Sequence, residues 1–175
     1  MALTKLGAGA YRSGSIIQTQ YTQFTGTNTI SVSQNTQTIL TDLTVNITPN
    51  FSNSIIHISV HAFLEFTNDS DNMWNHTFFL LRDSTKLSHA AAGNRNVGIS
   101  MANRTFHAAD GGSTPEICAF DYFDSPSSTS QITYKLATFA TANSDTLALN
   151  RSVTDTDNAA YERGISSIIA QEIAG

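Results

Sequence analysis

Ile56-His57-Ile58-Ser59-Val60-His61-Ala62-Phe63-Leu64-Glu65-Phe66 is the stretch that decides the fold. Ile56, Ile58, Val60, Ala62, Leu64 and Phe66 recur at every second position, and His57, Ser59, His61, Phe63 and Glu65 take the positions between them. Successive side chains of an extended backbone point to opposite sides, so a period of two marks a strand with one face against a core. A helix would scatter the same apolar residues around its circumference.

The pattern continues on both sides. Upstream, Ile17, Thr19 and Tyr21 alternate with Gln18 and Gln20 before Gly26-Thr27-Asn28 interrupts, and Leu43-Thr44-Val45-Asn46-Ile47 alternates into the turn signal Pro49-Asn50. Downstream, Thr77-Phe78-Phe79-Leu80-Leu81-Arg82 is too short for a typical buried helix and predicts a core strand, with Asp83-Ser84-Thr85 turning it into Lys86-Leu87 as a hairpin. Residues 97 to 107 and 116 to 123 predict further strands, followed by Ile132 to Thr138, Thr146 to Leu149 and an Ile-rich closing strand from Ile165 to Ile173. About eight or nine strands joined by Gly, Asp, Asn and Ser turns predict an all-β, antiparallel β-sandwich, jelly-roll-like in its topology. Residues 1–13, with Gly7 and Gly9 among small side chains and no period, read as a flexible N-terminal arm, and 14–175 as the sandwich domain.

Composition agrees with this class. The 175 residues suffice for one two-layer core without disulfides or metals. Charged residues make up only 13% of the chain. Ser and Thr, about a quarter of the chain and well above ordinary usage, solvate the surface instead. A net charge of -5 with nine Lys and Arg argues against a nucleic-acid partner, because phosphate binding needs clustered cations, and Lys5, Lys86 and Lys135 stand far apart. The single cysteine, Cys118, lies between Ile117 and Ala119 and reads as a buried small hydrophobe. Met1 to Gly7 lacks the apolar region of a secretory signal, and no run approaches the roughly 18 apolar residues of a membrane span. The expectation is therefore folding in a cytoplasm, with no membrane insertion, and the sequons at Asn75 and Asn103 carry no weight.

Each constellation that suggests chemistry has a structural alternative. His57 and His61 share a strand face with Cβ atoms roughly 13 Å apart, too far for one ion. With Phe63 they are candidates for a face that packs on a neighbouring subunit. Asp69-Ser70-Asp71 and Asp155-Thr156-Asp157 with Glu162 look like calcium loops, but neither fits the twelve-residue hand, and turn chemistry accounts for both. Asp110, Glu116, Asp121 and Asp124 are the carboxylates from which a glycosidase pair would have to be drawn. No nucleophile elbow, phosphate loop or zinc pair is present, so the expectation is a non-enzyme with no cofactor and no metal. Trp74, beside Asn72, Asn75 and His76 at a loop-to-strand junction, could stack on a sugar while its neighbours meet hydroxyls, which makes these four the ligand-contact candidates.

Several phrases taken in order carry a resemblance. They are Gly14 to Gln18, Leu43 to Pro49 running into Ser54 to Ile58, Phe78 to Thr85, Asp124-Ser125-Pro126 before Thr133-Tyr134-Lys135, Asn150-Arg151-Ser152 before Asp155 to Asn158, and Tyr161 to Ile173. The chain resembles a family of small β modules of phages that infect marine bacteria and cyanobacteria, found there as the C-terminal head of tail fibre proteins. The resemblance implies a virion protein, a homotrimeric jelly-roll-like head displayed on the particle and contacting a host surface glycan or protein. Other phage structural proteins would be met through the arm. Only the thirteen-residue arm stands before Gly14 here, where those fibres have a repetitive shaft, so the expectation is either a shaft supplied by a separate protein or an arm that docks the module directly on capsid or tail. The expected roles are therefore a tail-fibre or receptor-binding module first and a capsid decoration or head-fibre protein second. A glycan depolymerase on the same fold and a lectin unconnected with phage stand behind them.

Overall fold

The computed structural model describes residue 7 and residues 10–66, 76–101, 112–141 and 144–175. Among these residues there is no α-helix. The strands are β1 (Ile16–Phe24), β2 (Asn28–Val32), β3 (Gln37–Ile47), β4 (Ile55–Phe66), β5 (His76–Arg82), β6 (Thr85–Leu87), β7 (Ser100–Met101), β8 (Glu116–Asp124), β9 (Ile132–Ala140), β10 (Asp145–Leu149) and β11 (Ser166–Ile173). They form two antiparallel sheets. One has the order β1-β11-β4-β10-β2 with β8 also on β4, and the other has the order β3-β9-β5-β6 with β7 also on β5.

β4 organises the first sheet because it is long enough to serve three partners. One of its edges pairs with β8 from Ile56 to Leu64. The other pairs with β11 from Ile55 to His61 and then with β10 from Leu64 to Phe66. The alternation read in the sequence sets its two faces. Ile56, Ile58, Val60, Ala62, Leu64 and Phe66 are at most 4% exposed and pack on Leu40, Leu43, Phe78, Leu80, Tyr134 and Leu136 of the opposite sheet.

β5 is buried on both sides, which explains its continuous apolar run. Phe78 and Leu80 enter the main core, while Phe79 and Leu81 join Ala137, Ile39 and Phe139 on the far side of their sheet. The chain covers that far side itself. Lys86 sets its ammonium 4.0 Å from the centre of the Phe79 ring and donates to Val97 O at 2.9 Å, and Asn96 Nδ2 donates to Phe139 O at 3.2 Å. The strand expected over 97 to 107 falls partly within the described residues. Val97 belongs to this cover, Ser100 and Met101 form β7, and 102 to 107 lie outside the described residues.

The closing segment is the strand β11, as its Ile-rich pattern predicts, and Asp83-Ser84 makes the turn of the β5–β6 hairpin, with Asp83 at a φ of 54°. β2 and the first half of β3 had no clear signal in a stretch of Thr, Gln and Asn. The residues that lead into β1 meet those that follow β11. Gly14 N donates to Ala174 O at 2.8 Å and Ala174 N to Ser15 O at 2.9 Å, so the arm leaves the domain beside its C-terminus.

Candidate functional site

The strand registers assemble an outer face on the six-stranded sheet from residues far apart in sequence. Across β1, β11, β4 and β8 one row reads Thr19, Gln171, His57, Phe123, the next Tyr21, Ile169, Ser59, Asp121, and a third Gln23, Ser167, His61, Ala119. His57 is held in place. Its ring stacks on Phe123 at 4.6 Å and 15°, Nε2 lies 2.8 Å from Asp121 Oδ1, and Nδ1 lies 3.1 Å from Gln171 Oε1. His61 is exposed between Ala119 and Ser167, four residues along the same face. Tyr21 is 71% exposed, Phe123 62%, Ile117 57% and Ile16 56%. All four stand on this face or at its end.

Beyond His61 the face is closed by its own chain. Phe63 lies under Gly164, so close that a Cβ there would strike the ring. Glu65, at 3% exposure, accepts hydrogen bonds from Thr114 N, Thr114 Oγ1 and Val153 N at 2.6 to 2.9 Å. Of the three subunit-face candidates, His57 and His61 therefore lie on the open part, and Phe63 already has a partner within the chain.

The Asp155 loop is tied down by cations of its own chain. Asp155 pairs with Arg163 and lies 4.0 Å from Arg151 Nε. Among the described residues no group of three or more His, Cys, Asp or Glu side chains is arranged to hold a metal ion.

The end of the sandwich opposite Gly14 and Ala174 gathers several strand ends. Phe66 and His76, which flank 67 to 75, lie there, as do Ala140 and Asp145 and the segment between β10 and β11. Asn72, Trp74 and Asn75 lie outside the described residues. His76 is described, and its side chain points inward. It is 2% exposed, its ring lies 4.1 Å from that of Phe66, and Nε2 is 3.8 Å from Asp145 Oδ2. Burial lowers its pKa, with the Asp145 charge opposing. A side chain so placed packs the end of the core and does not reach an external sugar.

A cleft of about 350 Å³ lies over β5 and β7, lined by His89, Arg95, Asn96, Gly98, Ile99 and Met101 among others. Among the described residues no Asp or Glu lines it. Of the candidate carboxylates, Asp121 and Asp124 lie on opposite sides of their sheet. Asp121 lies on the outer face, while Asp124 turns inward, bound by Arg82 Nη1 at 2.9 and 3.1 Å and by the Tyr134 hydroxyl at 2.7 Å. Asp110 lies outside the described residues. Cys118 is buried as expected. Burial pushes its thiol up to about 11, with a hydrogen bond from Ser100 opposing, so it is no nucleophile at neutral pH.

No protein-family model matches the chain, and no curated protein matches it. The sequence reading missed the β8 contribution to the outer face. Its signal was present, since Ile117 and Phe123 are apolar at one parity while Cys118, Phe120 and Tyr122 are apolar at the other, which marks a strand with two faces to cover.

Proposed function

We propose that this chain is a non-enzymatic structural protein of a bacteriophage particle, a tail-fibre or receptor-binding head whose terminal end docks on the particle and whose opposite end meets the host surface. The observation that carries this reading is the polarity of the domain. Gly14 and Ser15 pair with Ala174 at one end, and Phe66, His76, Ala140 and the β10–β11 connection lie at the other, where an adhesive module needs exposed chain.

Topology supports the same reading. The order β1-β11-β4-β8 facing β3-β9-β5-β6, with the chain changing sheets at β3, β4, β5, β8, β9 and β10, fits the jelly-roll architecture that the resemblance implies. The surface, polar but poor in charge, suits a displayed protein that must stay soluble without ionic adhesion.

Localisation tests this directly. Gold-labelled antibody against the chain is expected at the tail end of intact particles, and the purified fluorescent protein is expected to label host cells. Regular labelling over the head would replace adhesion with capsid decoration. Absence from the particle would overturn the virion reading.

A further inference from the structure

We propose that the cleft over β5 and β7 binds a sugar-sized ligand through an oxyanion that the ligand carries, a carboxylate or a sulfate ester. This rests on the reading of the chain as a displayed adhesive module, and it gives that module a site and a ligand chemistry.

Charge singles the cleft out. The chain has a net charge of -5, yet no Asp or Glu occurs between Asp83 and Asp110, a run that holds Lys86, His89 and Arg95. The other described arginines of the sandwich are matched, Arg82 by Asp124 and both Arg151 and Arg163 by Asp155. Arg95 uses one of its five N–H donors on the chain's own oxygens, Nη1 donating to Ala92 O at 3.1 Å. His89 Nδ1 lies 2.6 Å from Ala90 O, which accepts its proton and leaves Nε2 for a ligand. Asp145, at the same end of β5 as Thr77, is 3% exposed and lies against His76. Asp83 follows the other end of that strand, roughly 20 Å from Thr77. A cleft whose cations are left unmatched in an acidic chain draws an anion.

Shape comes next. Ile99 N donates to Phe78 O at 2.7 Å, His89 N to Gly98 O at 3.3 Å and Thr77 Oγ1 to Asn96 Oδ1 at 3.0 Å. Behind the wall Lys86 holds Val97 O. A Cβ at Gly98 would stand 2.7 Å from Phe78 O, so the backbone there rests directly on β5 and only glycine fits. These bonds form the cleft before a ligand arrives, which lowers the cost of binding.

Size and lining narrow the ligand. The volume of about 350 Å³ falls in the lower part of the roughly 300–1,000 Å³ range of small-molecule sites. Ile99 and Met101 offer apolar surface beside the polar groups. One sugar ring matches this, its C–H face on the apolar residues and its oxyanion in the guanidinium fork of Arg95.

The test is a titration of the isotope-labelled full chain, read from its amide NMR signals. The probes are glucuronate, a sulfated galactose, the neutral parents glucose and galactose, and inorganic sulfate alone. At millimolar concentration one or both anionic sugars are expected to shift the Gly98 and Ile99 amides, and the neutral sugars and sulfate to leave them in place. Arg95→Ala is expected to weaken that binding at least about tenfold. Arg95→Lys, which keeps the charge and loses the fork, should weaken it less, and Arg12→Ala, which removes the same charge from the arm, should not change it. The Arg95 side chain is exposed and bonds only to Ala92 O, so the circular dichroism spectra and urea midpoints of its variants should match the wild type. No shift with either anionic sugar, equal binding of the neutral sugars or of sulfate alone, or equal losses from Arg12→Ala and Arg95→Ala would each overturn the proposal. Anionic-sugar binding by a chain absent from particles would leave the cleft and sink the virion reading, and a particle-borne chain that binds neither anionic sugar would do the reverse.

Discussion

Asn150 holds the point where β4 exchanges one neighbour for another. It is fully buried, has a φ of 61°, donates through Nδ2 to Phe24 O at 2.7 Å and Gly26 O at 2.8 Å, and accepts from Ser166 Oγ at Oδ1. Its backbone N donates to Phe63 O at 2.9 Å, so one residue ties together β1, β4 and β11. Left-handed backbone costs a residue other than Gly or Asn about 1–2 kcal/mol, and each orphaned buried polar group costs about 1–3 kcal/mol. Asn150→Ala is therefore expected to destabilise by about 3–5 kcal/mol in urea unfolding. Asn150→Gly, which keeps the φ but loses the amide, should cost about 1 kcal/mol less. Equal effects of the two would remove backbone strain from the explanation. Glu172 is a second such residue. Its carboxylate is fully buried and takes five donors, Gln18 Nε2, Asn50 N, Asn50 Nδ2, Phe51 N and Ser54 Oγ. Burial alone would raise its pKa, but the hydrogen bonds from Gln18, Ser54 and Asn50 outweigh burial and hold it below the ordinary value. A carboxyl depressed in the fold adds stability that is complete above its unfolded pKa, about 4.3, and is lost as pH falls through the lower folded value. Glu172→Gln is expected to cost about 2–4 kcal/mol at pH 7, by loss of charge-assisted bonds, and less at pH 3. A cost independent of pH would show that the charge itself contributes nothing.

Element by element, legibility followed how local the cause was. β4 could be read because its alternation is uninterrupted, and the β5–β6 hairpin because Asp tolerates the left-handed conformation its turn requires. The double burial of β5 was visible in Phe78-Phe79-Leu80-Leu81, although what covers its second face was not. That cover comes from Lys86, Asn96 and Val97, whose sequence has neither period. β2 escaped because Asn28-Thr29-Ile30-Ser31-Val32 is short and mostly polar, and its strand character comes from pairing with β10, more than a hundred residues away. The outer face was half legible for the same reason. His57 and His61 fall on one side of β4 by parity alone. That Phe123 stacks on His57 and Asp121 bonds to it depends on the register of β8, which is 64 residues distant for the Asp121 contact and is fixed by the whole sheet. Phe63 shares the parity of the two histidines, yet Gly164 covers it, and no pattern within β4 could have shown that.

At the scale of the whole molecule, the pairing of Gly14 and Ser15 with Ala174 marks where the contacts of the fold begin, and on the proposed function what precedes them serves attachment. The bonds that close the sheet at this end begin at Gly14 and Ser15, which pair with Ala174, and upstream of them the described contacts are slight. The Tyr11 and Phe51 ring centres lie 6.0 Å apart, and Ala10 N donates only to Gly7 O within the arm. Losing such contacts should change stability by no more than about 1 kcal/mol, within the range of ordinary surface changes. Gly14 also lies at the end opposite Phe66 and His76, so removal of the preceding residues should not alter the surface that the proposed function offers to a host. Deleting residues 1–13 is therefore expected to leave the urea midpoint and the oligomeric state unchanged, to leave host-cell labelling intact, and to abolish incorporation into particles in a complementation assay. Normal incorporation of the truncated chain would place the docking surface on the sandwich itself, and loss of folding would mean that the arm belongs to the domain.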